Sequence, residues 1–337
     1  VDPVRRVNRN DTGIERRGRI LLWAAAALLA LAFAAALALG PVALMPGGWA
    51  APDWRVIGTI RLPRALAAML VGAALAGAGA SLQTVFRNPL AAPDILGLSS
   101  GAALGAGLAI WFGWSGWALQ GLAFVGALAA VALVAGFARA MRAAEPTPAL
   151  IICGIAVAAL LSSALALLTS LAEPSRQLPA ITYWLLGSLA VAPSRELAVS
   201  AALVAIGLGW LWLVRWRIDA LLLPDDEASA LGHDPARLRM VAIGAAALAA
   251  SAAVALTGLI GWVGLLVPHA ARLLTGAAFA RAFPLACLGG AAFLLVVDTA
   301  ARVLAPVEVP PGVGTALVGV PLLLWLLARS PYAGGRG

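Results

Sequence analysis

The chain has 337 residues, 62% of them hydrophobic and only 11% charged, with a mean hydropathy of +0.96. A soluble domain carries about 25% charged residues to dress its surface, so this composition excludes one. The net charge of +8 comes from 23 arginines and no lysine, set against nine aspartates and six glutamates. Without lysine there is no GxxxxGK[ST] phosphate loop, so any use of nucleotide falls to a partner. In a membrane protein the arginine excess reports orientation, not nucleic-acid affinity.

The first 19 residues form a polar arm with Arg5, Arg6, Arg9, Arg16, Arg17 and Arg19, followed by an apolar run to about Leu39. A cleaved signal peptide is the alternative. Its core would be about 7–15 residues long, shorter than this run, and further spans follow. A span of the bilayer needs about 20 apolar residues. Runs of that kind lie at 20–40, 63–84, 94–112, 117–138, 148–170, 196–214, 238–257, 259–275, 284–303 and 312–329. The expected fold class is therefore an all-α polytopic membrane protein of about ten transmembrane helices, occupying 20–329 between the basic arm 1–19 and a tail 330–337. Gly258, Gly261, Gly264 and Pro268 interrupt the eighth run, and 178–192 is a short apolar stretch bracketed by prolines, expected as a partly immersed outer segment. Cys153 and Cys287 lie in apolar runs and read as small buried hydrophobes.

With both ends on one side, 17 arginines fall on that side and six on the other: Arg55, Arg61, Arg64, Arg176, Arg195 and Arg302. The bias predicts that the N- and C-termini are cytoplasmic. Small residues crowd the spans, with Gly101 and Gly105 four apart and Gly72, Ala76, Gly77 and Gly79 in the second, as close helix packing requires.

The most polar stretch after the arm is 219–239. Pro224-Asp225-Asp226-Glu227 places acids at a helix start, Gly232 is a terminator, and Asp234-Pro235 reads as N-cap and first residue of the next helix. The pattern predicts a rigid helix–turn–helix knob on the cytoplasmic side. Pro89 in Arg87-Asn88-Pro89-Leu90 ends the second span in an extended turn. Arg61 and Arg64, spaced three apart, share a helix face on the side that disfavours arginine. Asp298 and Arg302, four apart, are placed for a local ion pair. Gln83 suits an interhelical hydrogen bond, and Thr315 or its neighbours could satisfy the carbonyl released by Pro321. His269 and His233 are the two histidines; each lacks a second ligand, so no metal site is expected.

From Arg61 the sequence reads RLPRALAAMLVGAALAGAGASLQTVFRNPLAAPDILGLSSGAALGA, followed by TYWLLGSLA (182–190), ASALGHDPARLR (228–239), GLIGWVGLLVPHAARLLTG (258–276), DTAAR (298–302) and EVPPGVGTALVGVPLLLWLL (308–327). These blocks, in this order, resemble the FecCD permeases of ABC importers for iron–siderophore complexes, haem and cobalamin.

The resemblance implies a non-catalytic transport subunit in the bacterial inner membrane. It would work as a homodimer with two ATP-binding cassette subunits, which bind and hydrolyse the ATP, and with a periplasmic substrate-binding protein. No permanently bound cofactor is implied. The cargo would be a large iron-containing cofactor or chelate, with haem favoured and ferric siderophore or cobalamin as alternatives. The resemblance further implies binding-protein docking by Arg61, Arg64 and Arg302, and ATPase coupling through Asp226, Ala228, Leu231, Gly232 and His233. Asn88, Leu90 and Thr147 would form a cytoplasmic gate; Pro146-Thr147-Pro148 carries two prolines that depart from the family pattern. Two other classes are disfavoured by the residues themselves. An ion-coupled secondary transporter places ionisable groups near the midplane, and these spans are nearly devoid of them. An intramembrane enzyme would need a motif such as HExxH or paired carboxylates within spans, and neither occurs.

Overall fold

The computed structural model describes residues 3–40, 54–141, 146–190, 195–304 and 309–329. Among these residues every regular element is helical. The helices are α1 (Pro3–Ala38), α2 (Trp54–Val85), α3 (Leu98–Trp111), α4 (Trp117–Ala140), α5 (Pro146–Leu171), α6 (Gln177–Leu186), α7 (Arg195–Ile218), α8 (Asp225–Ala230), α9 (Pro235–Thr257), α10 (Val263–Thr275), α11 (Phe279–Leu304) and α12 (Pro311–Arg329). Single 3₁₀ turns precede α3 at Pro93–Leu96 and α8 at Asp219–Leu222. The tail 330–337, Arg142 and Glu308 lie outside the described residues.

Seven helices, α1, α2, α4, α5, α7, α9 and α11, are long and apolar enough to cross a membrane. Among the described residues, three of the ten expected spans, at 94–112, 259–275 and 312–329, fall instead among the shorter apolar helices. Gly97, at φ +71°, delays α3 to Leu98, and its 14 residues reach only about 21 Å at 1.5 Å per residue. Gly258 and Trp262, both at positive φ, delay α10 to Val263. Its 13 residues also fall short of the roughly 30 Å hydrocarbon core. Apolarity here marks burial against protein, where non-helical backbone is tolerated. Two boundaries move the other way. α1 continues through the basic arm from Pro3, and α2 begins at Trp54 with a π-helical turn at Ile57–Arg61. The segment expected outside the spans forms the short helix α6.

α2 is the central post, nearly all of it buried against α7, α9, α10 and α11. Small residues allow that closeness. A Cβ on Gly72 would sit 2.2 Å from the carbonyl oxygen of Gly290, and one on Gly101 would sit 2.3 Å from that of Gly126, so α2–α11 and α3–α4 touch through backbone. α1, α4, α5 and α7 leave most of their apolar surface exposed, as lipid-facing or partner-facing helices do. Cys153 is buried, Cys287 is half-buried, and neither is in a disulfide. Thr315 Oγ1 donates to Gly312 O at 3.1 Å; the carbonyl released by Pro321 lies one turn away from that bond.

Candidate functional site

Polar structure concentrates at the two ends of the bundle. At one end, the 3₁₀ turn at Asp219–Leu222 leads into α8, whose first turn carries Asp225, Asp226 and Glu227. Gly232, at φ +83°, turns the chain, and His233 N–H donates to Ala228 O at 3.1 Å. Asp234 then caps α9, accepting from Arg237 N–H at 3.0 Å with Pro235 in the first turn. The expected helix–turn–helix knob is present.

Its exterior is selective. Leu231 is 67% exposed, and Asp226 and Gly232 are exposed beside it, whereas Ala228 is fully buried and His233 is half-buried. Ala228 therefore packs the knob from within, and the surface it supports is that of Asp226, Leu231 and Gly232.

Asp225 ties this knob to the bundle. Arg239 Nη2 donates to both its carboxylate oxygens at 3.0 Å, and Arg87 Nη2 donates to Oδ1 at 3.0 Å. Arg87 also donates from Nε to Leu221 O at 2.7 Å and from Nη2 to Leu223 O. Burial alone would raise the Asp225 carboxyl. The hydrogen bond and charge of Arg239, then those of Arg87, outweigh it and hold the group below the ordinary carboxylate value.

Arg87 itself has φ +48°, a conformation that costs a non-glycine residue about 1–3 kcal/mol unless its surroundings hold it there. It opens the turn containing Asn88 and Leu90. Asn88 Oδ1 accepts from Leu90 N–H at 2.9 Å, closing an Asx turn, and Leu90 is 45% exposed. The turn continues into Pro93–Leu96, which packs on α5 where a Cβ on Gly154 would meet Ile95 O at 1.9 Å. Thr147, half-buried, lies in the first turn of that same α5. Asn88, Leu90 and Thr147 thus belong to two segments in direct backbone contact.

The other end holds Arg61, Arg64 and Arg302. Arg64, in α2, donates from Nε and Nη2 to Asp298 at 2.8–3.1 Å. Arg302 Nε donates to Asp298 Oδ2 at 3.0 Å, the expected i,i+4 pair within α11. Arg61 Nη1 donates to Leu37 O at 2.8 Å and Ala38 O at 2.7 Å, satisfying carbonyls left open at the end of α1. Asp298 is 1% exposed, Arg61 3% and Arg64 9%. Arg61 and Arg64 are buried and Arg302 is half-buried, and together the three side chains join α1, α2 and α11.

In the interior, Gln83 Nε2 donates to Leu265 O at 3.0 Å between α2 and α10. His269 is 2% exposed, with neither ring nitrogen hydrogen-bonded. Among the described residues no group of three metal-ligating side chains occurs. The sequence offered no local sign of Arg64–Asp298 or Arg87–Asp225, whose partners are 234 and 138 residues apart. The only hint was the two charges near the ends of apolar runs.

A bundle of long apolar helices, with ion pairs at both ends and a rigid polar knob at one, is that of an integral membrane protein. The chain belongs to the FecCD transport family, whose profile matches residues 27–329. It is 38% identical over 275 residues to the probable iron chelatin transport system permease protein of Helicobacter pylori (strain ATCC 700392 / 26695), covering 82% of this chain and 83% of that one. It is also 38% identical to the hemin transport system permease protein HmuU of Yersinia pestis, covering 82% and 84%. The solved structure titled "An inward-facing conformation of a putative metal-chelate type ABC transporter" superposes with a TM-score of 0.83 at 34% identity, covering 93% of this chain and all of that one.

Proposed function

We propose that the chain is the membrane-spanning subunit of an ATP-driven importer of iron chelates or related metal-containing cofactors. It would act as a homodimer with two ATPase subunits and a periplasmic binding protein, with the α8 face cytoplasmic. The arginine bias supports that orientation. The observation carrying the proposal is the knob. An apolar Leu231 stands in water at the tip of a helix–turn–helix, and Asp225 fastens that element to both α9 and the turn of Asn88 and Leu90.

A partner cleft that seats Asp226, Leu231 and Gly232 buries the exposed leucine, and a shift of the knob pulls on Arg87. Arg87 leads directly into the turn whose continuation packs on α5. Movement of the ATPase subunits is thereby passed to the segments carrying Leu90 and Thr147, which part to let cargo through. The permease contributes no bond-making step.

At the opposite face, internal pairing makes Arg61, Arg64 and Arg302 the framework of the docking rim. They hold α1, α2 and α11 in register beneath the binding protein. Arg176 and Arg195, exposed at the starts of α6 and α7, are the guanidinium groups its carboxylates would meet.

Haem is the cargo we favour, as in the permease relative from Y. pestis. A ferric siderophore has equal support from the relative in H. pylori, and cobalamin from the relative in Halobacterium salinarum, a cobalamin import system permease. Copurification of the partner binding protein, with absorbance read on its bound ligand, decides among them. A Soret band supports haem, a siderophore or corrinoid spectrum replaces it, and a ligand of none of these classes contradicts the cargo assignment.

A further inference from the structure

A cavity of about 530 Å³ opens on the α8 face between the end of α4 and the starts of α5 and α9. Its buried lining is apolar, with Leu150 and Ile243, Met240 is exposed at its edge, and its rim carries Arg139, Arg237 and Arg239. Arg139 and Arg237 are exposed, and neither forms an ion pair among the described residues. Arg239 is 6% exposed; it spends Nη2 on Asp225, while its buried Nε has no acceptor. Asp234, the one acid at this rim among the described residues, is occupied as the cap of α9.

Two cations without an ion pair, beside the Arg239–Asp225 pair and above an apolar slot, fit neither a water-soluble anion, which would leave the slot empty, nor a neutral lipid, which would leave Arg139 and Arg237 uncompensated. A phosphodiester headgroup bearing net negative charge, continued by an acyl chain, satisfies both halves. The arginines stand at the ends of helices that cross the bilayer, which is the depth of a headgroup, and the slot runs inward from them to the depth of acyl chains.

We propose that this cavity binds one anionic phospholipid of the α8-side leaflet. Its phosphate would lie on Arg139 and Arg237, next to the Arg239–Asp225 pair that anchors the knob. The site would make coupling responsive to the anionic lipid content of the membrane. The proposal rests on the chain being a membrane permease, and it is independent of cargo and of nucleotide.

The test uses the intact importer, permease with its ATPase subunits, exchanged into micelles containing equal phosphatidylglycerol and phosphatidylethanolamine. Retained lipid is counted by native mass spectrometry. Preferential retention of phosphatidylglycerol is expected. In the double variant Arg139→Gln/Arg237→Gln it should fall about thirtyfold, two arginines each contributing as they do at an anionic lipid surface. Ile243→Trp, which fills the slot and leaves the charges in place, should also lower retention. Equal retention of the two lipids, or retention unchanged in the double variant, overturns the proposal. So does full displacement by millimolar inorganic phosphate, which would make this a free-anion site. Retention by the permease alone but not by the complex overturns it too, since the ATPase subunit would then cover the cavity. The readout involves no uptake, so failure here is distinct from failure of the importer reading.

Discussion

Arg87 and Asp225 meet at 3.0 Å across 138 residues of chain, one at the end of the central helix and the other in the first turn of the knob. Arg239 grips the same carboxylate from α9. The turn of Asn88 and Leu90, the knob and the helix following the knob therefore share a single anchoring group.

Loss of that anchor should separate hydrolysis from transport. The pair is half-exposed, with side-chain exposures of 42% and 44%, and exposed ion pairs contribute about 1 kcal/mol or less to stability. Arg87→Gln, which leaves the Arg239–Asp225 pair in place, should thus fold and leave the complex's ATPase rate near that of the wild type. Coupling free energies between sites are typically about 1–3 kcal/mol, so uptake per ATP should fall by about 5- to 150-fold. The measurement is paired uptake and phosphate release in proteoliposomes. Equal loss of both rates would contradict the coupling role.

The anchor should also resist acid. Arg239 and Arg87 hold the folded Asp225 carboxyl below its ordinary value despite the opposing effect of burial, while the unfolded group titrates near about 3.9. A depressed folded value contributes stability that is present above the unfolded value and is lost as pH falls through the folded one. Isotope-edited infrared spectra of the carboxyl should show it ionised at pH 5 and protonated only below the usual aspartate range. In Arg239→Gln the transition should move upward.

At the opposite face, Asp298 is buried between Arg64 and Arg302. Removing one member of a buried ionic group costs about 3–5 kcal/mol because the remaining charge is left uncompensated. Asp298→Asn should lower the thermal inactivation temperature of the purified permease far more than Arg87→Gln does. Equal stability of the two variants would show that the cluster is hydrated and dispensable.

Backbone contact around α2 gives a sharper comparison. A Cβ on Gly79 would lie 1.8 Å from Gly264 O, whereas one on Gly244 would meet nothing within 4 Å. Gly79→Ala must therefore push α2 and α10 apart, an overpacking that costs about 1–3 kcal/mol. Gly244→Ala should match or slightly exceed wild-type stability, since alanine is the better helix former. Thermal inactivation of the two variants side by side checks the pair.

Much of this architecture is legible residue by residue. Helical spans follow from apolar run length, and the knob follows from Asp225, Gly232 and the Asp234-Pro235 cap, all local signals. Helix length is not legible where apolar residues pack on protein instead of lipid: Ile95 and Leu96 open an apolar run, yet Gly97 turns the chain left-handed and the helix starts late. Burial of the outer arginines was hidden for a different reason. Their partner Asp298 and the α1 carbonyls come from distant parts of the chain, and nothing near Arg61 or Arg64 points to either.

The central claim is that transport is driven through the knob by ATP hydrolysis on a partner. The most direct measurement is uptake of radiolabelled iron chelate into proteoliposomes holding the permease, its ATPase subunits and the binding protein, with ATP enclosed on the α8 side. We predict accumulation that requires ATP and the ATPase subunits, and that is lost when Leu231→Asp puts a charge at the tip of the knob. Accumulation driven by a proton or sodium gradient, with the ATPase subunits absent, would contradict the account.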